Sequence, residues 1–387
     1  MLTRKIQNHV WHAALAGALG AVLMGGCAAA RREQPHTRFG ALPFPGVTSL
    51  FHAADPGRLS PHRYSGRAFF GDEGERGIVY TERAGFLDVV HVRDSADWAW
   101  YVYTLMQDAR GERRKEVVFD FDGAGVRAAM PAEAADDAAV AARLAYALMT
   151  WHEAATWYGH SMVPLVSERR SAFTYDDTTS HFVGVNAAFC AMAGGATWET
   201  YDQKVGACIE ESVASLEPRS PAGTVNACLD ARGGWWENNS PILRDAAVHL
   251  SAPEKRPLVL DTRGHAVFSA RLLALPPVSV PPEGAWFTLE VQPDVRDRVR
   301  SVLGGTTVRG VEDMERVVAD VAADLAARGH AVVLHDGDDA APVLPVRRTA
   351  LGPALGSPLV AQFVPQVRPG GGRFDSTEQQ EDGAQGR

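Results

Sequence analysis

The sequence lacks the features that mark several specialised classes of protein. It has an apolar run at Ala13–Met24, but no run reaches the ~20 residues that a membrane-spanning helix needs. The net charge is −9 and the pI is about 5.8, which argues against a nucleic-acid partner, because such a partner needs a basic face. No internal repeat is visible. The hydrophobic share of 46% and the charged share of 22% are typical of a soluble globular protein.

The amino terminus is typical of a secretory signal. Arg4 and Lys5 precede the apolar run, and small residues and Cys27 follow it. The stretch "LMGGC" resembles a bacterial lipobox, which implies cleavage before Cys27, a lipid on its thiol and export across the inner membrane. Ala28, rather than an aspartate, follows Cys27 and favours the outer membrane. An uncleaved apolar anchor is the alternative.

Cysteine is scarce, and its spacing fits no metal knuckle. Besides Cys27, the chain contains only Cys190, Cys208 and Cys228, with no CxxC pair. An odd number in an oxidising compartment predicts at most one intramolecular disulfide. We expect a Cys208–Cys228 disulfide, because Cys190 lies in the small-residue stretch "NAAFCAMAGG". A cysteine in such surroundings behaves as a compact core hydrophobe.

Periodicity divides the rest of the chain into a helical part and a later part with short strands. Helices are predicted at 86–109, from Asp136 or Asp137 to about His160, and at 176–193, 198–215, 221–231 and 311–328. Strands are predicted at 77–81 and 116–123, and within 256–262, 266–275, 285–291 and 330–334.

These elements predict an α+β fold, with a mainly helical core at about 86–231 and a smaller β-rich C-terminal segment. The predicted organisation is a signal peptide at 1–26, a tether at 27–45, a single domain at 46–335 and a tail at 336–387. The composition of the tail predicts disorder, because it cannot build a core.

One histidine-rich segment, "WHEAATWYGH", opens with the His-Glu pair of the zinc-protease signature. That signature needs a second histidine four residues after His152, but Thr156 stands there. His160 lies two helical turns, or ~12 Å, from His152, whereas the ligands of one zinc ion lie ~2 Å from it. Gly159 allows the helix to end between them without restoring the signature. We therefore reject the zinc-protease interpretation.

Two predicted helices nevertheless carry polar residues on half-apolar faces. His152 and Glu153 lie on one of them, and His91 and Asp94 lie on the other. If the two helices pack face to face, these four side chains form one cluster, with His91 and His152 as candidate metal ligands. The alternative is a buried polar network in which every member is hydrogen-bonded and which fixes the helix register.

Neighbouring residues are candidates for binding a substrate. Trp157, Tyr158 and Tyr175 are placed to line the mouth of a pocket, and Asp177 is placed to reach the His152 region. The alternatives are that the aromatic residues only pack at a helix end and that Asp177 is stabilised there by the helix dipole.

Several blocks of the sequence resemble a known family. The blocks are "GIVYTERAGFLDVVHVRDSADW", "WHEAATWYGH", "ERRSAFTYDDTTSHFVGVNAA" and "AWFTLEV", within roughly residues 38–330. They are similar to bacterial lipoproteins of the domain of unknown function 4056. The resemblance implies an envelope protein but no activity. The stretch "DDTTSHFVG" departs from the family pattern, which has an asparagine at His181, so we assign His181 no role.

Two hypotheses about function remain. In the first, the protein is a hydrolase acting on an envelope polymer or lipid. Glu153 then serves as general base and Asp94 belongs to the catalytic cluster, while His91 and His152 carry protons or bind a metal, with zinc as a possible ion. In the second, it is a non-catalytic envelope lipoprotein, a scaffold or assembly partner. A serine nucleophile at Ser171 or Ser180 is less favoured, since no GxSxG motif precedes a helix.

Replacement of the lipid-bearing cysteine tests the export hypothesis. We expect the wild-type protein to fractionate with membranes, and we expect Cys27→Ser to be released or to accumulate as an unlipidated precursor, because its thiol carries the only predicted anchor. Membrane fractionation and electrophoretic mobility measure both effects. A Cys27→Ser variant that behaves like the wild type in both assays contradicts the lipoprotein assignment.

Overall fold

The computed structural model describes residues 33–35, 52–65, 74–161, 168–169, 172–174, 176–231, 254–279 and 285–328. All of them belong to one compact unit, Met1–Arg347, and a second unit, Arg348–Arg387, contains none of them. The predicted signal peptide, Cys27, Ser171, Tyr175, the predicted strand at 330–334 and the predicted tail lie outside the described residues.

Seven α-helices and ten short strands make up the described structure, which is an α+β fold, as the sequence predicts. The helices are α1 (Val89–Gly111), α2 (Asp137–Tyr158), α3 (Asp177–Ala193), α4 (Tyr201–Ser215), α5 (Pro221–Asp230), α6 (Arg296–Leu303) and α7 (Gly310–Ala327). The strands are β1 (Ile78–Thr81), β2 (Gly85–Asp88), β3 (Glu116–Phe121), β4 (Ala124–Ala129), β5 (Glu254–Lys255), β6 (Leu258–Leu260), β7 (Ala266–Phe268), β8 (Leu273–Ala274), β9 (Phe287–Glu290) and β10 (Thr307–Arg309).

Helices α1, α2 and α3 pack against one another and form the centre of the core. The core around them combines alanines with large, fully buried aromatic side chains such as Trp98 and Trp151. Helices α1 and α3 come close at Gly184, where an added Cβ would lie 2.1 Å from the carbonyl oxygen of Val92. Because a real Cβ cannot occupy that space, Gly184 permits the close approach of the two helices.

The segment before α1 differs from the prediction, which began the helix at Phe86. Residues 85–88 form β2, and β2 pairs with β1 in an antiparallel hairpin. The helix begins at Val89 because Asp88 is its N-cap, and the Oδ1 atom of Asp88 accepts a hydrogen bond from the backbone N–H of Val90 at 2.8 Å. Phe86 and Leu87 are both buried, and a short apolar run of this kind does not by itself distinguish a strand from a helix.

A four-stranded antiparallel sheet has the strand order β10–β9–β4–β3. The turn between β3 and β4 contains Asp122 and Gly123, with φ angles of 48° and 83°. Positive φ at both central residues is the requirement of a type I′ hairpin turn, which favours Asp-Gly. The sequence predicts β3 but not β4, whose alanines and glycine have low strand propensity. It also misses β10 and the short helix α6.

Smaller antiparallel ribbons pair β5 with β8 and β6 with β7. Helix α7 packs on α2 and on α6.

Among the described residues, no helix combines the length and the apolar content of a membrane span.

The predicted Cys208–Cys228 disulfide is wrong. Cys190 and Cys208 are bonded, with their Cα atoms 6.2 Å apart. Helices α3 and α4 are consecutive and pack side by side, so the two cysteines face each other. Cys190 is exposed on α3 and is not the predicted core thiol. Cys228 remains a half-buried thiol on α5, which packs against β1 in a separate apolar cluster.

The disulfide can be mapped in the mature protein. We expect alkylation under denaturing, non-reducing conditions to label Cys228 and leave Cys190 and Cys208 unlabelled, because those two thiols are consumed in the bond. Mass spectrometry of a non-reduced digest then finds the Cys190 and Cys208 peptides linked. A linked Cys208–Cys228 peptide, or an unlabelled Cys228 in a monomer, contradicts the structure.

Candidate functional site

Two histidines and a glutamate from three different helices converge in the core. His91 lies in the first turn of α1, Glu153 on α2 and His181 in the second turn of α3. Each offers a metal-ligating atom, and the three atoms lie within 4.8 Å of one another. We call these three residues the His–Glu–His cluster. Glu153 and His181 are buried, whereas the side chain of His91 is 26% exposed, so the cluster is reached from solvent beside His91.

The two imidazoles of the cluster are in direct contact. The Nε2 atom of His181 lies 3.2 Å from Nδ1 of His91, and the ring planes are inclined at 72°. The close approach at Gly184 explains this contact, because Gly184 follows His181 by one helical turn and Val92 follows His91 directly.

Glu153 uses only one of its carboxylate oxygens within the described structure. Its Oε2 atom accepts a hydrogen bond from the backbone N–H of Phe173 at 2.8 Å. No hydrogen bond to its Oε1 atom occurs among the described residues. A carboxylate in a buried network with one uncommitted oxygen is able to accept a further ligand, such as a cation or a water molecule.

Carboxylates surround the exposed side of His91. Its Nε2 atom lies 3.5 Å from Oδ1 of Asp177 and 3.9 Å from Oδ2 of Asp88. Burial lowers the pKa of His91, but the charges of Asp177, Asp88, Glu153 and Asp176 outweigh burial and raise that pKa to about 9. Without a metal ion, His91 is therefore an imidazolium at neutral pH.

His181 shows the opposite shift. Burial is the main cause, and the positive charges of His91, His152 and Lys255 add to it, so the pKa of His181 is well below its ordinary value. Neutral His181 accepts a hydrogen bond at Nε2 from the Nδ1–H group of His91. The ammonium group of Lys255, which is buried, donates to the hydroxyl oxygen of Thr178.

His152 does not join the cluster, although the sequence predicts it as a metal ligand beside His91. Consecutive helical residues point about 100° apart, so His152 faces the β3–β4 turn while Glu153 faces the core. Its Nδ1 atom lies 3.1 Å from Oδ2 of Asp122, and the side chains are only 15% and 13% exposed. Burial lowers the pKa of His152, but the hydrogen bond and the charge of Asp122 outweigh it and raise that pKa to about 9.

The C-terminal segment supports this His152–Asp122 pair. Gln292, two residues after the end of β9, donates from Nε2 to the carbonyl oxygen of Asp122 at 3.1 Å. Its Oε1 atom accepts a hydrogen bond from the indole of Trp151 at 3.1 Å. The side-chain amide of Gln292 therefore links the turn that carries Asp122 to Trp151 on α2, and these two hydrogen bonds fix the position of the turn.

The other predicted site residues are distributed more widely. Asp94 is buried on α1 but is not one of the three converging donors. The indole of Trp157 donates to Asp324 at 3.0 Å, and the hydroxyl of Tyr158 donates to Asp320 at 2.8 Å. These two bonds attach α7 to the end of α2, so the contacts favour the packing alternative over the predicted pocket mouth. Asp177, a predicted substrate-binding residue, lies against His91 instead.

Sequence reasoning missed His181 and Asp122. His181 was set aside because it departs from the family pattern, although its spacing of four residues from Asp177 places both on one face of α3. Asp122 lies near the end of the predicted strand 116–123 and had no predicted role. A cavity of about 210 Å³, lined in part by Phe182, Leu216 and Arg271, includes no member of the cluster.

Comparison with known proteins gives one match. A family model described as protein of unknown function (DUF4056) matches residues 27–248, which is more than half of the chain and includes the whole His–Glu–His cluster. Lys255 and Gln292 lie beyond the matched residues. No curated protein matches the chain. No solved structure matches it either.

The protonation of the cluster can be measured directly. In protein kept metal-free with a chelator, we expect His91 to titrate with a pKa of about 9 and His181 to stay neutral at pH 7. Asp177→Asn lowers the pKa of His91, because a nearby negative charge favours the protonated imidazole. NMR titration of the imidazole resonances measures both values.

A matched control is available for this titration. Asp294→Asn removes the partner of His160, whose Nδ1 atom lies 2.8 Å from Oδ2 of Asp294, and it leaves the pKa of His91 unchanged. A wild-type His91 whose pKa is at or below the ordinary histidine value of 6.5 contradicts the electrostatic description of the site.

Proposed function

We propose a function from the site itself, because the chain belongs to the DUF4056 family of proteins of unknown function, and that family supplies no activity. The protein is a hydrolase of the cell envelope, lipid-anchored through Cys27, that acts on an envelope polymer or lipid. Its catalytic centre is a divalent metal ion, most simply zinc, held by the His–Glu–His cluster.

The observation that carries this proposal is the convergence of one donor atom from each of three side chains. Two ligands of a tetrahedral zinc ion, each ~2.1 Å from it, lie roughly 3.4 Å from each other. The 3.2 Å separation between Nδ1 of His91 and Nε2 of His181 is close to that value. The carboxylate of Glu153 completes a set of two imidazoles and one carboxylate, which is a ligand set of catalytic zinc sites.

The electrostatics of the site favour a cation. Four carboxylates act on His91, and the positive charges that act on the cluster are those of His91 itself, His152 and Lys255. A divalent ion that replaces the His91 proton adds one unit of positive charge where negative charge is in excess. Metal binding and loss of this proton are therefore coupled.

The chain's other residues fit roles around such a centre. Asp177 and Asp88 face Nε2 of His91 and orient the ring so that Nδ1 points to His181, as outer carboxylates orient metal-bound histidines. His152, held by Asp122 and partly exposed, is placed to carry a proton. A bound divalent ion supplies polarisation of the substrate and activation of water. In this arrangement Glu153 is a ligand rather than the general base.

Export is supported by the cysteines as well as by the signal sequence. The Cys190–Cys208 disulfide is of a kind that persists in an oxidising compartment and is rare in the cytosol. It lies on α3, the helix that also carries His181.

The second candidate function is a non-catalytic envelope scaffold with a structural polar network. The observation that favours it is the hydrogen bond between His91 and His181, together with the 3.5 Å contact between His91 and Asp177. These contacts satisfy His91 without an ion. Among the described residues, the Oε1 atom of Glu153 makes no hydrogen bond, which favours the metal centre.

One conservative variant separates the two functions. We expect the purified wild type to bind one zinc ion per chain, and we expect Glu153→Gln to bind it at least ~10-fold more weakly, because an amide is a poor ligand for zinc. The variant should still fold, since an amide oxygen can accept the Phe173 N–H bond. Elemental analysis and chelator competition measure metal binding, and thermal unfolding in chelator measures the fold.

Glu210→Gln is the matched control for this variant. Its Oε1 atom also accepts a backbone bond, from the N–H of Ser60 at 3.0 Å, but it lies outside the cluster. This variant should bind zinc like the wild type. A metal-free wild type, with a Glu153→Gln variant that is clearly less stable than Glu210→Gln, contradicts the hydrolase and supports the scaffold.

A further inference from the structure

Two consecutive backbone amides hold a carboxylate of the cluster and a carboxylate beside it. The N–H group of Phe173 donates to Oε2 of Glu153 at 2.8 Å, and the N–H group of Thr174 donates to Oδ2 of Asp177 at 2.6 Å. The other oxygen of Asp177, Oδ1, lies 3.5 Å from Nε2 of His91. The other oxygen of Glu153, Oε1, makes no hydrogen bond among the described residues.

The backbone of Phe173 is unusual at this point. Its φ angle is 56°, in the left-handed region, and its side chain is fully buried. A bulky residue with positive φ is an outlier that persists only where its surroundings impose it. A left-handed residue within a turn can direct successive N–H groups into one concavity, and such a concavity binds anions. Here the anions are the protein's own Glu153 and Asp177.

We propose that Phe173 is a positioning residue of the metal centre, and this inference rests on the proposed function. Its left-handed backbone lets adjacent amides hold a metal ligand, Glu153, and the carboxylate that orients a second ligand, His91. The turn fixes which oxygen of each carboxylate is available to the cluster. If Phe173 leaves the left-handed region, the two N–H groups diverge and both carboxylates lose their orientation.

A pair of isomeric substitutions isolates the backbone from the side chain. Phe173→Leu and Phe173→Ile remove the same number of atoms from the same buried space. Leucine is not branched at Cβ, whereas isoleucine is, and Cβ branching makes positive φ much less accessible. A difference between these variants in metal affinity therefore reports on the turn rather than on the volume of the core.

We expect Phe173→Leu to bind Zn²⁺ within about threefold of the wild type and Phe173→Ile to bind it at least ~10-fold more weakly, the size of effect that outer-shell changes produce. Chelator competition gives the dissociation constants, and the visible spectrum of bound Co²⁺ reports the ligand geometry. Thermal unfolding in chelator compares the two metal-free folds. A purely structural role lowers the melting temperature but leaves the affinities and spectra of both variants equal, and that result overturns the inference.

A measurement on the wild type tests the same inference if a variant does not fold. Addition of Zn²⁺ to ¹⁵N-labelled wild-type protein should shift the amide resonances of Phe173 and Thr174, because their acceptors change environment. Unshifted resonances in a protein that binds zinc overturn this inference and leave the proposed function intact. A wild type that binds no zinc overturns both.

Discussion

The contact between helices α1 and α3 at Gly184 is the constraint on which the candidate site depends. A side chain at this position would meet the Val92 carbonyl at 2.1 Å, so the separation of the helices is set by the absence of a Cβ. His91 and His181 lie within one turn of this contact and meet at 3.2 Å. Interiors are close-packed, so a wider separation here would move the histidines apart and also loosen the packing between α1 and α3.

The second constraint is the number of charges inside the core. Asp176, Asp177 and Glu153 are buried, and a buried carboxylate is tolerated only when it is paired or hydrogen-bonded. His91 and the backbone amides of Phe173 and Thr174 provide such partners. Removal of one partner leaves the remaining charges uncompensated. For this reason the same network stabilises the fold and forms the proposed cation site, and only conservative variants can separate these two roles.

The site is completed by residues beyond those that match the family model. Lys255 contributes its buried charge beside α3, and Gln292 fixes the turn that presents Asp122 to His152. Helix α7 binds the end of α2 through Asp320 and Asp324. The C-terminal segment therefore contributes both to the charge environment of His181 and to the position of His152, although it carries none of the three converging donors.

The sequence by itself determined the fold class, the bounds of most helices, and Glu153 and His91 as members of a polar site. These features depend on local patterns, such as helical periodicity, capping residues and polar side chains on apolar faces, which operate within a few residues. Only the tertiary structure decided that His181 replaces His152 in the cluster, that Asp122 pairs with His152 and that Cys190 bonds to Cys208. Each of these depends on the distance and rotation between two elements. One step along a helix turns a side chain by about 100°, and no local pattern fixes which face of one helix meets which face of the next.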